Sequence, residues 1–182
     1  MPEKLLLHSC CGVCSGAVIE KLKGEGFWLT SFFYNPNIYP KGEYVFRKAA
    51  MKTIAKNVGA EFMEGFNDSG YGDEREKWLK AMQGLEKEPE GGKRCEACFE
   101  YRLLKTAQKA KELDIKTIAT TLSISPHKNT ETINRIGNNI AKVYDVKFLD
   151  MDLKPLFQRS REIAIANKIY FQKYCGCEFS KR

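Results

Sequence analysis

The sequence has no run of 18 or more apolar residues, which excludes a typical membrane-spanning helix. Its first residues, Met1-Pro2-Glu3-Lys4, lack the charged and then apolar arrangement of a secretory signal. We therefore expect a cytoplasmic protein with no membrane partner. At 182 residues, the chain is long enough for one domain with a hydrophobic core and short for two.

Glycine motifs that bind phosphates are also missing. The chain has no G-x-x-x-x-G-K-S/T loop, and no G-x-G-x-x-G follows a predicted strand. Gly24-Glu25-Gly26 lacks the third glycine and follows a predicted helix. The sequence therefore indicates neither an ATP site nor an NAD site. Only two histidines are present, His8 and His127, which argues against a catalytic zinc site built from histidines.

What the sequence does have is seven cysteines in three groups. The groups are Cys10, Cys11 and Cys14; Cys95 and Cys98; and Cys175 and Cys177. In a reducing cytosol, an odd number of tightly grouped cysteines does not indicate a disulfide framework. The grouping instead indicates metal binding or redox chemistry.

Short apolar runs alternate with longer amphipathic stretches along the chain. We predict strands at residues 4–8, 29–34, 62–66, 117–122 and 146–149, and helices at 13–23, 43–58, 73–82, 95–113, 131–143 and 160–170. This alternation predicts an α/β fold with a mostly parallel sheet flanked by helices. Such sheets bind ligands at the carboxyl ends of their strands.

The first cysteine group lies in His8-Ser9-Cys10-Cys11-Gly12-Val13-Cys14, where the first strand gives way to the first helix. A helix N-terminus lowers the pKa of a thiol, so we expect these sulfurs to be thiolates. Two adjacent cysteines at a bend point in different directions, which suits a polynuclear cluster better than one tetrahedral ion. His8 lies on a strand that we expect to be buried, and we interpret it as structural.

The second group, Arg94-Cys95-Glu96-Ala97-Cys98, is a C-x-x-C at the start of a predicted helix, a spacing found in zinc and iron–sulfur sites. Together with Cys10 and Cys11 it supplies four thiolates, the usual complement of a four-iron cluster. A structural zinc site with four cysteine ligands fits the same count. We rank zinc second, because zinc sites more often use two C-x-x-C pairs.

The third group, Cys175-Gly176-Cys177, can chelate one metal or form a small strained disulfide. With Cys14 it makes a second set of three thiols. Nearby Tyr170, Phe171 and Tyr174 predict that this end of the chain packs back onto the body. We therefore divide the single domain, residues 1–182, into a body, a cysteine-bearing insertion at 83–98 and a cysteine-bearing tail at 171–182.

Several other side chains are candidates for binding a substrate. A proline-containing loop at residues 34–40 follows the second strand at the same sheet edge, and its aromatic rings could stack on a base or pack internally. Arginines could bind phosphates or neutralise a cluster, with a surface salt bridge as the alternative. The candidates are Tyr34, Asn35, Asn37, Arg47, Arg94, Arg102, Arg161 and the loop residue His127.

The chain carries a formal charge of +7 at pH 7. A basic surface suits a polyanionic partner such as RNA. A solvated lysine-rich surface explains the charge equally well, so charge alone does not name a substrate.

Taken together and in order, these blocks resemble the QueH-type epoxyqueuosine reductases, which act in the last step of queuosine formation in tRNA. The resemblance runs from Leu5 to Ser180. It rests on the blocks at residues 8–14, 34–38 with Glu43, Tyr44 and Arg47, 88–99, 121–128 and 170–177. Two departures are visible: Val13 replaces a common proline, and residues 150–154 follow the family pattern only loosely, so no role is assigned to Asp152 or Lys154.

The resemblance implies a Rossmann-like sheet related to the adenine nucleotide alpha-hydrolase group. It also implies a [4Fe-4S] cluster beside a second, mononuclear metal, which we expect to be iron. The reaction would be the two-electron removal of the epoxide oxygen from epoxyqueuosine in tRNA, with electrons from an external donor that the sequence does not identify.

On this basis we assign the cysteines to two sites. Four of them, Cys10, Cys11, Cys95 and Cys98, would hold the cluster. The other three, Cys14, Cys175 and Cys177, would form the adjacent catalytic metal site, with Tyr174 or a bound water as the proton donor.

Two other functions remain open from the sequence. One is a thiol–disulfide or heterodisulfide-type electron-transfer protein, for which the separation of Cys11 from Cys95 is long. The other is a zinc-stabilised tRNA-binding module without redox activity. Neither explains all of the blocks.

Overall fold

The computed structural model describes residues 2–180 and contains five strands and six α-helices. The strands are β1 (Lys4–His8), β2 (Trp28–Phe33), β3 (Glu61–Glu64), β4 (Thr117–Thr120) and β5 (Lys147–Phe148). The helices are α1 (Gly12–Gly24), α2 (Lys41–Val58), α3 (Tyr71–Ala81), α4 (Lys93–Glu112), α5 (Thr130–Tyr144) and α6 (Phe157–Ala166). Positions 181 and 182 of the predicted tail lie outside the described residues.

The five strands pair in parallel in the order β3-β2-β1-β4-β5. Leu5 in the central strand pairs with Leu29 of β2 and with Thr117 of β4. Leu5, Leu6 and Leu7 are fully buried. A continuous apolar run of this kind is typical of a parallel strand that is covered on both faces.

Helices pack in two groups around the sheet. One group consists of α1, α2 and α6, in which α1 contacts both of the others. The second group consists of α4 and α5, which contact each other and also contact β1, β4 and β5. The Rossmann-like α/β fold expected from the sequence is therefore confirmed, and the sheet is wholly parallel.

The C-terminal elements differ from the prediction. The last helix, α6, begins at Phe157 and ends at Ala166, whereas the sequence predicts 160–170. It ends early because Lys168 adopts a left-handed φ of 50°, which does not continue a helix. The described segment after Lys168 contains no further α-helix or strand, and a 3-10 helix at Glu178–Ser180 ends it. The last strand comprises only Lys147 and Phe148.

The strand order places β1 at the point where the chain reverses direction across the sheet. Its neighbours β2 and β4 lead into connections that run to opposite sides. A crevice forms at such a point, outside the carboxyl ends of the strands, and α/β proteins bind their ligands there. The turn after β1, at residues 9–11, and the loop after β4 both lie at this position.

Within residues 2–180, no helix combines the length and the apolar character needed to cross a membrane.

The turn that carries the first cysteine group fits closely against α2. A Cβ at Gly12 would lie 2.9 Å from the backbone oxygen of Ala50 and 2.8 Å from Cδ1 of Ile169. The backbone of Ala50 cannot move aside as a flexible side chain can. Glycine at this position therefore lets α1 begin directly against α2.

We predict that Gly12→Ala lowers the free energy of unfolding by about 1–3 kcal/mol through overpacking. Gly24→Ala, in the same helix, is the matched control, because a Cβ there has no neighbour within 4 Å. It should be neutral or stabilising by up to about 1 kcal/mol. Urea unfolding of both variants measures the difference, and equal effects would contradict the close fit at Gly12.

Candidate metal and substrate site

A cavity of about 1380 Å³ opens at the carboxyl edge of the sheet, and all seven cysteines line it. All seven are free thiols, with no disulfide among them. The first group comes from the turn after β1, the second from the start of α4 and the third from the segment after α6. The structure therefore brings together at one site the three groups that the sequence separates by up to 167 positions (from Cys10 to Cys177).

The first cysteine group is compact. The sulfurs of Cys10, Cys11 and Cys14 all lie within 4.8 Å of one another, and those of Cys10 and Cys11 are 3.9 Å apart. Thr121, just after β4, fixes the turn: its Oγ1 accepts a hydrogen bond from the Cys10 amide at 3.1 Å and lies 3.3 Å from the Cys10 sulfur. Gln172 donates to the Cys11 sulfur at 2.9 Å.

The three thiols of this group differ in acidity. Hydrogen bonding with Cys11, and then with Cys14, holds the pKa of Cys10 well below its ordinary value. The same hydrogen bond raises the pKa of Cys11 to about 12, and hydrogen bonding with Cys10 and Cys11 raises the pKa of Cys14. These shifts differ from the expectation of three thiolates: hydrogen bonding within the group favours the thiolate at Cys10, with its two neighbours as donors.

The second and third cysteine groups meet each other. Cys98 and Cys177 pack in one buried cluster with Trp78 and Met82. The Gly91 amide donates to the Cys95 sulfur at 3.2 Å. The pKa of Cys95 is raised, first by burial, and the charges of Cys98 and Cys175 also raise it, so these sulfurs are electrostatic neighbours.

Within the third group, one thiol is acidic and its partner is not. Hydrogen bonding with Cys177 lowers the pKa of Cys175 to about 5, and the Ser180 hydroxyl, 2.9 Å from the Cys175 sulfur, adds to the effect. The pKa of Cys177 is raised by that same hydrogen bond with Cys175. Gly176, between them, has a left-handed φ of 110° and allows the sharp turn.

Arg47 ties the third cysteine group to the body. It is 3% exposed, and its Nε lies 2.7 Å from Oε1 of Glu43. Its Nη1 and Nη2 donate to the carbonyl oxygens of Cys175 and Tyr174 at 3.0 and 2.9 Å. The Tyr170 hydroxyl donates to the other carboxylate oxygen of Glu43 at 2.6 Å. The prediction that this end of the chain packs back onto the body is confirmed.

Two more candidate arginines are also held by internal partners. Arg94 donates through Nη1 to the carbonyl oxygens of Leu85 and Glu86, at 3.3 and 3.0 Å. Arg102 donates to Oδ1 of Asn35 at 3.2 Å. Both line the cavity, as does Asn35. They fix the walls of the cavity and contribute positive charge to it.

The hydroxyls of Tyr34 and Tyr174 already have hydrogen-bond partners. Tyr34 does not line the cysteine cavity, and its hydroxyl donates to Glu74 at 2.5 Å. Tyr174 lines the cavity, and its hydroxyl donates to the carbonyl oxygen of Tyr39. Burial, followed by the charge of Glu43, raises the pKa of Tyr174, which makes it a weaker acid.

The two histidines have different surroundings. His8 is fully buried, with Nδ1 2.9 Å from Oγ1 of Thr120 and Nε2 3.2 Å from the carbonyl oxygen of Tyr34. Burial lowers its pKa to about 3, so it is neutral, and its structural role is confirmed. His127 is exposed and lines the cavity.

Sequence reasoning missed several side chains of the site. Among them are Gln172 and Thr121, which contact cysteine sulfurs, and Phe46, Lys128 and Lys173, which line the cavity. Most of these residues lie in the sequence blocks quoted above, but no spacing connects them with a cysteine. Their proximity results only from the way the loops converge.

The sequence of this chain matches a known protein family. A family model described as epoxyqueuosine reductase QueH matches residues 5–182. The chain belongs to the QueH family. Its QueH relatives include proteins from three bacteria with the same description.

The Streptococcus pyogenes serotype M1 relative is 40% identical over an alignment that covers 98% of this chain and 70% of the relative. The Haemophilus influenzae relative is 40% identical, with coverage of 99% of this chain and 72% of the relative. The Thermotoga maritima relative is 34% identical, with coverage of 97% and 89%.

The metal groups expected from the sequence can be compared with the atoms that line the cavity of this QueH chain. Three buried polar atoms have no hydrogen-bond partner within residues 2–180: Oδ1 of Asn37, Nε1 of Trp78 and Nε of Arg94. All three residues line the cavity. Buried donors without partners are rare in native proteins, and sulfur or sulfide acceptors in this cavity would satisfy Trp78 and Arg94. The seven cysteine thiols are soft ligands, which also fits iron–sulfur chemistry.

We predict that Arg47→Met detaches the third cysteine group and lowers the free energy of unfolding by about 3 kcal/mol, because it leaves a buried carboxylate without its cation. Amide hydrogen exchange at residues 174–178 should accelerate. Arg159→Met is the control: it breaks an exposed 3.1 Å pair with Glu20 and should cost at most about 1 kcal/mol. Unchanged exchange at 174–178 in Arg47→Met would contradict this role.

Proposed function

We propose that this protein reduces epoxyqueuosine to queuosine in tRNA, using a [4Fe-4S] cluster and an adjacent iron held by its seven cysteines. The observation that carries the proposal is that all seven cysteines line one cavity at the ligand-binding edge of the sheet. The relatives that share this chain's sequence over nearly its whole length are described as epoxyqueuosine reductases.

The reaction requires two electrons and two protons. Both C–O bonds of the epoxide break, a C=C bond forms between the two carbons, and the oxygen leaves as water. When bound, the cluster would pass electrons singly from an external donor, and a Lewis-acidic iron would stabilise negative charge on the departing oxygen.

The chain's own residues have two tasks in this proposal. The first is to hold the metals, and we assign Cys10, Cys11, Cys95 and Cys98 to the cluster and Cys14, Cys175 and Cys177 to the iron. The insertion at 83–98 and the tail at 171–182 deliver the second and third groups. The sulfur of Cys14 lies within 4.8 Å of those of Cys10 and Cys11, so the two sites would adjoin.

The second task is to admit and orient an anionic substrate. Six cations and three carboxylates line the cavity: Arg47, Arg94, Arg102, Lys128, Arg161 and Lys173, with Glu43, Glu90 and Glu96. The excess of positive charge attracts a polyanion such as tRNA. Asn37, whose buried Oδ1 has no partner within residues 2–180, would accept a hydrogen bond from a donor on the substrate. Because the Tyr174 hydroxyl is already bonded, we favour a water in the cavity as the proton source.

The test is anaerobic purification followed by iron and acid-labile sulfide analysis, EPR of the reduced protein, and conversion of epoxyqueuosine in tRNA with dithionite as the electron donor. We expect a brown protein with an iron–sulfur EPR signal and formation of queuosine. A colourless protein with stoichiometric zinc that binds tRNA without turnover would contradict the proposal. So would turnover of disulfides without action on the epoxide.

Two cysteine variants test the division between the sites. If the proposed assignment holds, Cys98→Ser loses the cluster, with its iron and sulfide. Cys14→Ser keeps the cluster's sulfide and EPR signal but loses the additional iron and all conversion of the epoxide.

Loss of sulfide in Cys14→Ser would assign Cys14 to the cluster and contradict the division. Circular dichroism of both variants verifies that each one is folded.

A further inference from the structure

Two aromatic side chains are exposed at the edge of the cysteine cavity. Phe46, on α2, is 58% exposed, and Tyr170, after α6, is 38% exposed. Both line the cavity, and their ring centroids are 5.5 Å apart with an interplanar angle of 33°. An exposed aromatic pair at the entrance of a polar cavity provides apolar ring faces on which a planar group can stack.

The position of this pair is fixed. The Tyr170 hydroxyl donates to Glu43, and Glu43 is held by the buried Arg47. Phe46 precedes Arg47 directly on α2. The two rings are therefore tied to the same contacts that attach the third cysteine group, and they do not depend on a mobile loop.

Three cations at the cavity have no internal oxygen partner for their charge. Lys128, Arg161 and Lys173 form no ion pair and no side-chain hydrogen bond within residues 2–180. By contrast, Arg47, Arg94 and Arg102 are bonded to internal oxygen atoms.

Two of the three carboxylates that line the cavity form ion pairs with arginines. Glu43 pairs with Arg47, and Glu96 pairs with Arg135 at 3.2 Å. Glu90 alone among the three lining carboxylates has no cation partner in the part of the chain described. The free charge at the entrance is therefore positive.

Arg161 is held by aromatic rings and not by an acid. Its guanidinium carbon lies 5.8 Å from the ring centroid of Phe157 and 5.4 Å from that of Phe171. All three residues line the cavity. Contacts of this kind position a guanidinium while leaving its N–H groups free for an anion.

We propose that the cavity entrance is a binding surface for a single-stranded RNA loop, in which Phe46 and Tyr170 stack on a base beside the modified nucleotide and Lys128, Arg161 and Lys173 contact the loop's phosphates. This inference rests on the proposed function, since it names how the tRNA is held. A base within a duplex cannot enter a cavity, and proteins recognise splayed loop bases by stacking on aromatic rings beside basic groups.

The stacking is tested by binding of an unmodified tRNA transcript to the anaerobically purified holoprotein, measured by fluorescence anisotropy. Phe46→Ala should weaken binding by roughly tenfold to a hundredfold, the usual effect of losing one base–aromatic stack. Val143→Ala is the control, since Val143 is 76% exposed near the end of α5 and does not line the cavity. It should bind as the unaltered protein does.

The phosphate contacts are tested by the salt dependence of the same binding. Each of Lys128→Ala, Arg161→Ala and Lys173→Ala should lower the slope of log K against log salt by about 0.7, the single-strand value for one phosphate. Lys142→Ala, an exposed lysine that does not line the cavity, should leave the slope unchanged. Equal slopes for all four variants would overturn the phosphate contacts.

The two proposals can fail separately. If Phe46→Ala and the charge variants bind the transcript as the unaltered protein does, while that protein still reduces epoxyqueuosine in tRNA, the surface is wrong and the function stands. If the unaltered protein binds the transcript but leaves the epoxide intact, the function is wrong. Failure of the unaltered protein to bind the transcript at all would overturn the surface.

Discussion

A parallel sheet delivers the carboxyl ends of all its strands to one edge, and the positions of the first two cysteine groups depend on this constraint. The turn after β1 carries Cys10 and Cys11 to that edge, and the residue after β4 fixes it, because Thr121 bonds to both the amide and the sulfur region of Cys10. Helix α4 begins at the same edge and presents Cys95 and Cys98. No local segment could assemble seven thiols in this way.

The third cysteine group has no strand to position it and depends on electrostatics. Arg47 is buried between Glu43 and the carbonyl oxygens of Tyr174 and Cys175. Removing an arginine from water is costly unless its charge is paired and its donors find acceptors. Here Nε, Nη1 and Nη2 each donate one hydrogen bond, to the Glu43 carboxylate and to the two carbonyl oxygens. The same glutamate also accepts from Tyr170. One buried ion pair thus links the third cysteine group to the exposed aromatic pair Phe46 and Tyr170.

The sequence predicts the strands and helices well, and it predicts the contacts between distant loops poorly. The apolar run Leu5-Leu6-Leu7 and the alternation of strands with helices are local signals, so the α/β fold follows from them. The three cysteine groups can also be recognised from the sequence. The internal hydrogen bonds of Arg94 and Arg102 cannot be predicted from it, because both depend on carbonyl and amide oxygens that other loops bring near.

The structure of the C-terminal segment is also hard to predict from the sequence, because it depends on contacts between residues far apart in the chain. The chain leaves α6 through a left-handed turn at Lys168. Glycine is the usual residue in such a turn, and because this position is a lysine, the sequence does not indicate that the helix ends here. The contact between Gln172 and Cys11 joins residues 161 positions apart and cannot be read from a spacing. Even the pKa order of Cys10, Cys11 and Cys14 reflects their mutual distances more than the helix N-terminus they share.

The central claim is that three chain segments form one iron-binding cavity. Anomalous scattering at the iron edge from an anaerobic crystal of the holoprotein tests it directly. The account predicts iron peaks within the cavity, in contact with cysteines from all three groups. Iron bound by only one group, or disulfides joining the cysteines across the cavity, would contradict it.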